Sequence, residues 1–267
     1  MPQRIFPFSL ALAALGLAAC GGSDNTVLVD APQALSAAEQ AEFAASKIDK
    51  ESVDPNYPPE VASQISAGGA TLVDVYRENG IWVSKNDYRS LQAGLTTLNG
   101  TYTFTDSGTT YPLITRSYQG WRGGAVVSYY PANGEFYYVD TYGVDTPVNA
   151  FPSAGQATYR GTAFDIDDDG ALTYHVDFAA KSGAGEITGL ERYGTISLHT
   201  APIAAETSAL GVSRYGVRGT AGSARGTQFD YVVGFAGRQA EEIAGFAVNT
   251  TSGDAVGFHG TRGAITE

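Results

Sequence analysis

From residue 155 to residue 263 apolar and polar side chains alternate with a period of two, the spacing of a strand that buries one face. Between Ala171 and Ala180, Leu172, Tyr174, Val176 and Phe178 share one face, and Thr173, His175 and Asp177 take the other. Between Gly226 and Phe235, Phe229, Tyr231, Val233 and Phe235 lie opposite Gln228 and Asp230. Eight such segments are expected, at 157–165, 171–179, 184–189, 194–200, 208–217, 226–235, 242–249 and 254–262. Eight strands suffice to close an antiparallel barrel that fills its interior with side chains and leaves no open edge. A membrane-spanning barrel would carry an apolar outer band. Here the second face holds Thr, His, Asp and Gln, which predicts a soluble barrel.

The region before it also reads as β-structure. Thr71–Tyr76 and Gly80–Ser84 flank Asn79-Gly80, a hairpin-turn pair, and further strands are expected at 100–105, 110–118, 124–130 and 135–142. Val144 to Pro152 reads as a linker. The fold class is therefore mainly β: a C-terminal eight-stranded antiparallel barrel over 151–263, preceded by a smaller β-rich domain over 70–150. Residues 20–69 are small, polar and Ala-rich, and read as a tether. One helix is predicted inside it, over Ala37–Ile48, because Ser36-Ala-Ala-Glu39 has capping-box spacing.

At the N-terminus, Ile5 to Ala19 is almost wholly apolar and breaks at Cys20-Gly-Gly-Ser23. Fifteen residues make a helix of roughly 22 Å, shorter than a ~30 Å hydrocarbon core. Residues 1–19 are thus expected to be a signal peptide. Leu17-Ala18-Ala19-Cys20 resembles the lipobox of bacterial lipoprotein precursors, which implies lipidation at Cys20 (diacylglycerol and palmitate). Gly21 lacks the Asp that retains many lipoproteins at the inner membrane, so the outer membrane is the expected location. Cys20 is the only cysteine, and once modified it leaves no thiol for a disulfide, a zinc site or a nucleophile.

Removing residues 1–19 takes away only Arg4, leaving 15 Lys+Arg against 28 Asp+Glu, a net charge of −13. Such a surface argues against nucleic acid, which is held by phosphate-neutralising Lys and Arg.

Two stretches of the barrel carry a family resemblance. Phe235-Ala-Gly-Arg-Gln-Ala-Glu-Glu-Ile-Ala-Gly245 resembles the Phe-aromatic-Gly-Pro-x-Ala-x-Glu-apolar-small-Gly signature of transferrin-binding protein B barrels. It departs from that signature at Ala236 and Arg238. Val176-Asp-Phe-Ala-Ala-Lys-Ser-Gly-Ala-Gly-Glu-Ile-Thr-Gly189 is similar to that family's strand-turn-strand, and Pro152 to Gly161 to the barrel's opening strand. The resemblance spans about 150 to 263 and extends to haemoglobin- and haem-binding and factor H binding lipoproteins. It implies a surface lipoprotein with a handle-like domain at 70–150. It also implies a protein or haem-type ligand and a TonB-dependent receptor serving iron or haem acquisition. Host-protein binding of the factor H type and a periplasm-facing structural role remain the alternatives.

Candidate chemistry is sparse. Asp165-Ile-Asp-Asp-Asp-Gly170 begins like a calcium loop, but its twelfth position is Val176 rather than a bidentate Glu, so a polar hairpin turn is expected. His175, His199 and His259 fall opposite the apolar faces of their strands and are expected to be exposed. No metal or cofactor is expected. Tyr118, Trp121, Tyr129, Tyr130, Tyr137 and Tyr138 are the candidate ligand-binding residues, since aromatic side chains with polar tips dominate protein interfaces. In each adjacent Tyr pair one ring should face the core and one outward. There is no Gly-x-Ser-x-Gly elbow and no His-Glu-x-x-His pair, and Glu241 and Glu242 should point to opposite faces, so an enzyme is not expected.

Overall fold

The computed structural model describes residues 35–52, 62–207 and 213–267. The expected signal peptide over 1–19, Cys20, and residues 21–34 and 53–61 of the expected tether lie outside the described residues. The chain orders as α1 (Ala37–Ser46), β1 (Ile48–Ser52), β2 (Ser63–Ala67), β3 (Ala70–Glu78), β4 (Ile81–Asp87), β5 (Gly94–Phe104), β6 (Thr109–Gln119), β7 (Gly123–Tyr129) and β8 (Phe136–Gly143). There follow β9 (Gln156–Phe164), β10 (Asp169–Asp177), β11 (Ser182–Leu190), β12 (Gly194–Thr207), β13 (Ser213–Ser223), β14 (Gln228–Ala236), β15 (Glu242–Asn249) and β16 (Asp254–Arg262).

Strands β9 to β16 form a closed antiparallel barrel, sealed where β16 pairs β9 with Gly260 opposite Gly161. The alternation sets its lining as expected: Leu172, Tyr174, Val176, Phe229, Tyr231 and Val233 all lie in one buried core. Thr173, His175 and Asp230 face outward. An apolar filling with a polar outer wall is the reverse of a membrane-spanning barrel. No helix among the described residues is long and apolar enough to cross a membrane.

Glycines let the barrel wall close tightly. The Phe164 ring lies against Gly257, and a Cβ there would overlap it. Gly257→Ala should therefore lower stability by about 1–3 kcal/mol, read as a shift in the urea midpoint; an unchanged midpoint would mean that Phe164 can swing away.

The first eight strands form a second antiparallel sheet, in the order β1-β4-β3-β2-β5-β6-β7-β8. Asn79 and Gly80 both have positive φ (50° and 83°), the type I′ geometry that closes the β3–β4 hairpin with Glu78 opposite Ile81. Among the described residues this region equals the barrel in strand number, with strands that are shorter on average, because its sheet begins inside the segment read as a tether. β1 pairs β4, and β2 inserts between β3 and β5. Both strands are short and mostly polar (IDKES, SQISA), so they carry little of the hydrophobic signal that marks a strand in sequence.

The helix forms with the capping box its sequence announces. The Ser36 backbone N–H donates to Glu39 Oε2 (2.9 Å), and the Glu39 N–H donates back to Ser36 Oγ (3.3 Å). Phe43 pins the helix to a core that includes Leu72, Trp82, Tyr88, Leu113 and Val126.

Candidate functional site at the sheet–barrel junction

Strand β7 joins the two bodies, and all seven of its residues are buried. Val126 points into the core of the N-terminal sheet. Ala125, Val127 and Tyr129 point the other way, against Phe164 and Ala255 on the outer wall of the barrel. Both faces of this strand are therefore dry.

The polar centre of the junction is Glu242, at the start of β15. It faces out of the barrel but is fully covered by the β6–β7 turn. One carboxylate oxygen accepts from the backbone N–H of Trp121 (3.1 Å). The other accepts from the N–H groups of Arg122 (2.9 Å) and Gly123 (3.1 Å), and lies 3.0 Å from His259 Nε2. Burial alone would raise the Glu242 pKa, but the hydrogen bond and charge of His259, with the backbone donors, hold it below the ordinary glutamate value. Gly120 completes the seat, because a Cβ there would collide with the His259 ring and the Glu242 carboxylate. The ring of Tyr118 stacks on His259 at 4.9 Å.

The effect is to hold the β6–β7 turn rigid at its base while its tip faces water. Trp121 is 54% exposed although its backbone is anchored by a buried carboxylate. A large aromatic side chain on a fixed backbone is the kind of group that anchors protein interfaces at low entropic cost.

A second polar contact ties the sheet to the barrel at the acidic turn between β9 and β10. That turn is a hairpin turn, closed by Asp165 Oδ1, which accepts from the N–H groups of Asp167 (2.9 Å) and Asp168 (2.6 Å). The guanidinium of Arg116, from β6, donates to the carbonyls of Asp165 and Asp168 and pairs with Asp169. The acidic turn of the barrel thus meets a side-chain cation of the sheet. Among the described residues no cluster of three or more His, Cys, Asp or Glu is placed to hold a metal ion.

The six aromatic candidates are not gathered into one patch. Trp121 is exposed, and Tyr118 is half-buried beneath the same turn. Tyr129 is buried, its hydroxyl donating to the Ala255 carbonyl at 3.1 Å. Tyr130 is half-buried against the opposite core. Tyr138 turns inward, its hydroxyl 2.6 Å from that of Tyr88 and 3.1 Å from Asp140 Oδ2. The side chain of Tyr137 lies outside the described residues. The expected outward member of each pair is absent where it can be seen, because the face opposite the core is covered by the barrel.

His259 needs the same correction: it is 3% exposed, whereas His175 and His199 are exposed as expected. Alternation correctly placed His259 outside the barrel, but the docked sheet covers that part of the wall. Glu242, Gly120 and Arg116 went unrecognised in the sequence. Nothing local marks them except a carboxylate and a histidine at matching outward positions of two strands that proved adjacent.

Residues 149–247 match the family model described as factor H binding protein, C-terminal. The barrel is similar to that family. The resemblance to the transferrin-binding protein B-like lipoproteins, drawn from residues 150–263, holds over the same region. Among solved structures, the apo haemoglobin receptor HpuA from Kingella denitrificans aligns at 15% identity over 81% of this chain and 95% of its own, with a TM-score of 0.44. A transferrin binding protein B mutant from Haemophilus parasuis Hp5 aligns at 12% identity over 81% of this chain and 45% of its own, with a TM-score of 0.42. The isotype 1 transferrin binding protein B from serogroup B Neisseria meningitidis aligns at 16% identity over 74% and 52%, with a TM-score of 0.37. The chain spans about half the length of these transferrin-binding proteins.

Proposed function

We propose that the protein is an outer-membrane lipoprotein, lipid-anchored at Cys20 and displayed at the cell surface, that binds a protein or haem-type ligand through its outer surface. On this reading it serves nutrient acquisition of the iron or haem type beside a TonB-dependent receptor. The observation that carries surface recognition is the outward display of Trp121 on a turn fixed by buried Glu242. The filled barrel supports it, since Tyr174, Phe178, Tyr193, Tyr231 and Phe258 occupy the space where a ligand-carrying barrel keeps a cavity. The lipobox-like motif supports the anchor, and the acidic surface favours a partner with basic groups.

The match of residues 149–247 favours a second reading, host-protein binding of the factor H type. A pull-down with the full-length protein, followed by mass spectrometry and absorption spectra, separates the two: a nutrient carrier or haem supports the first, a host regulator the second.

For the captured partner, Trp121→Ala should weaken binding at least tenfold, about 1.4 kcal/mol, while leaving the melting temperature unchanged. Undiminished affinity would remove Trp121 from the site. Protease shaving of intact cells should degrade the protein; full protection would instead place it facing the periplasm.

A further inference from the structure

The outer wall of the barrel carries a row of side chains that is symmetric about its centre. Thr158 of β9, His175 of β10 and Ala184 of β11 lie opposite one another in register. A β-bulge between β11 and β12 then sets two residues, His199 and Thr200, opposite Ala184, since Gly185 pairs Leu198 and Gly183 pairs Ala201. On β13, the position next to the Leu198–Ala221 pair brings Thr220 to His199. The order across five neighbouring strands is therefore Thr, His, Ala, His, Thr. Both histidines are exposed, and both line one shallow groove together with Ala184, Glu186 and Ser197.

The threonines decide how the two rings are turned. His175 Nδ1 lies 2.9 Å from Thr158 Oγ1, and His199 Nδ1 lies 3.3 Å from Thr220 Oγ1. Each threonine stands on the strand that flanks the pair from outside, so each Nδ1 is turned away from the other histidine. The two nitrogens lie on opposite sides of an imidazole ring, so each Nε2 is turned toward the gap above Ala184. Neither Nε2 has a hydrogen-bond partner among the described residues. A hydroxyl that accepts from Nδ1–H leaves the lone pair on Nε2, the arrangement that orients histidine ligands of metals. Strands β10 and β12 are about 10 Å apart, two spacings of ~4.8 Å. Rings leaning in from that separation can bring their Nε2 atoms to the ~4 Å that one ion spans at ~2.0–2.1 Å per bond.

We propose that His175 and His199 together hold one divalent transition-metal ion, of the copper, nickel or zinc class that imidazole favours, through their two Nε2 atoms. Ala184 leaves open the space above β11 that a longer side chain would fill. Glu186, two residues along β11 on the same face, adds a negative charge beside the ion. Among the described residues no third His, Cys, Asp or Glu is placed to join the pair, so water completes the coordination shell. Open positions of that kind distinguish an exchangeable surface site from a closed structural one. Neither Trp121 nor the N-terminal sheet takes part, so this proposal does not rest on the surface-binding reading.

Isothermal titration of the full-length protein in detergent, free of affinity tags and with its cysteine alkylated, tests it with zinc chloride at neutral pH. We expect saturable one-site binding and at least a tenfold loss of affinity in His175→Ala and in His199→Ala. An excess of calcium chloride should not displace the zinc, because calcium takes oxygen ligands. Absence of saturable zinc binding overturns the proposal. So does an unchanged affinity in either variant, or displacement by calcium. Both histidines are exposed, so their removal leaves the core intact. Should the circular dichroism of either variant nonetheless differ from the parent, His175→Gln and His199→Gln carry the same criterion.

Discussion

Replacing Glu242 by alanine should destabilise the protein by about 3–5 kcal/mol, the cost of removing a buried carboxylate and leaving its hydrogen-bond donors unmet. Three backbone N–H groups at Trp121, Arg122 and Gly123, and the His259 imidazole, lose one common acceptor in a place that water does not reach. The loss is large because the three backbone donors belong to the sheet and their acceptor to the barrel. Glu242→Gln keeps an acceptor oxygen and should cost less, about 1–3 kcal/mol. The parent should also show the matching pH dependence. A carboxylate held below its ordinary pKa contributes stability above the unfolded-state pKa, and loses it as pH falls through the folded value. Urea denaturation of the three proteins near neutral pH measures the differences. A Glu242→Ala midpoint equal to the parent's would show that the turn is held by apolar contacts alone.

Replacing Asp140 by asparagine should have the opposite sign at alkaline pH. Burial pushes the Asp140 carboxyl up from 3.8 to about 7, beyond what the hydrogen bonds from Tyr88, Thr141 and Tyr138 recover, and the charge of Asp49 adds to the rise. An acid with a raised folded-state pKa takes up a proton on folding between the two values, so its contribution to stability falls as pH rises from about 4 to about 7. Above that range the folded state carries a buried charge. Its cost is at most about 1.4 kcal/mol for each pH unit between the two values, less what solvent relaxation around the carboxylate returns. Asp140→Asn should therefore stabilise the protein by about 1–3 kcal/mol at pH 8 and have little effect at pH 5. The amide oxygen can still accept from Tyr88 and Tyr138. Denaturation curves at the two pH values are the measurement, and an equal difference at both would show that Asp140 does not titrate between them.

These opposing carboxylates also show where the sequence stops being readable. Glu242 and Asp140 are both acids on β-strands, and nothing nearby distinguishes them. One meets a histidine and three backbone donors from a distant turn; the other meets phenols and a second carboxylate. The properties of Glu242 belong to the docking of two bodies, and those of Asp140 to segments distant in sequence that meet within the N-terminal sheet. The aromatic candidates illustrate the same limit. Alternation identifies which face of β7 Tyr129 shares with Ala125 and Val127, but only the position of the barrel decides that both faces are dry.

What the sequence determined by itself is the barrel and its polarity: a period of two over eight segments leaves one face that must be buried and a closure that removes the edges. It also determined the β3–β4 hairpin through Asn79-Gly80, the helix start through Ser36 and Glu39, and the family resemblance over 150–263. Only the tertiary structure decided that β1 and β2 belong to the sheet, that Trp121 is exposed while Tyr129 is buried, and that Glu242 and His259 are covered at the junction. The physical reason is range. Periodicity and capping are contacts between near neighbours along the chain, whereas Glu242 and the turn at Trp121–Gly123 meet across about 120 residues that no local pattern connects.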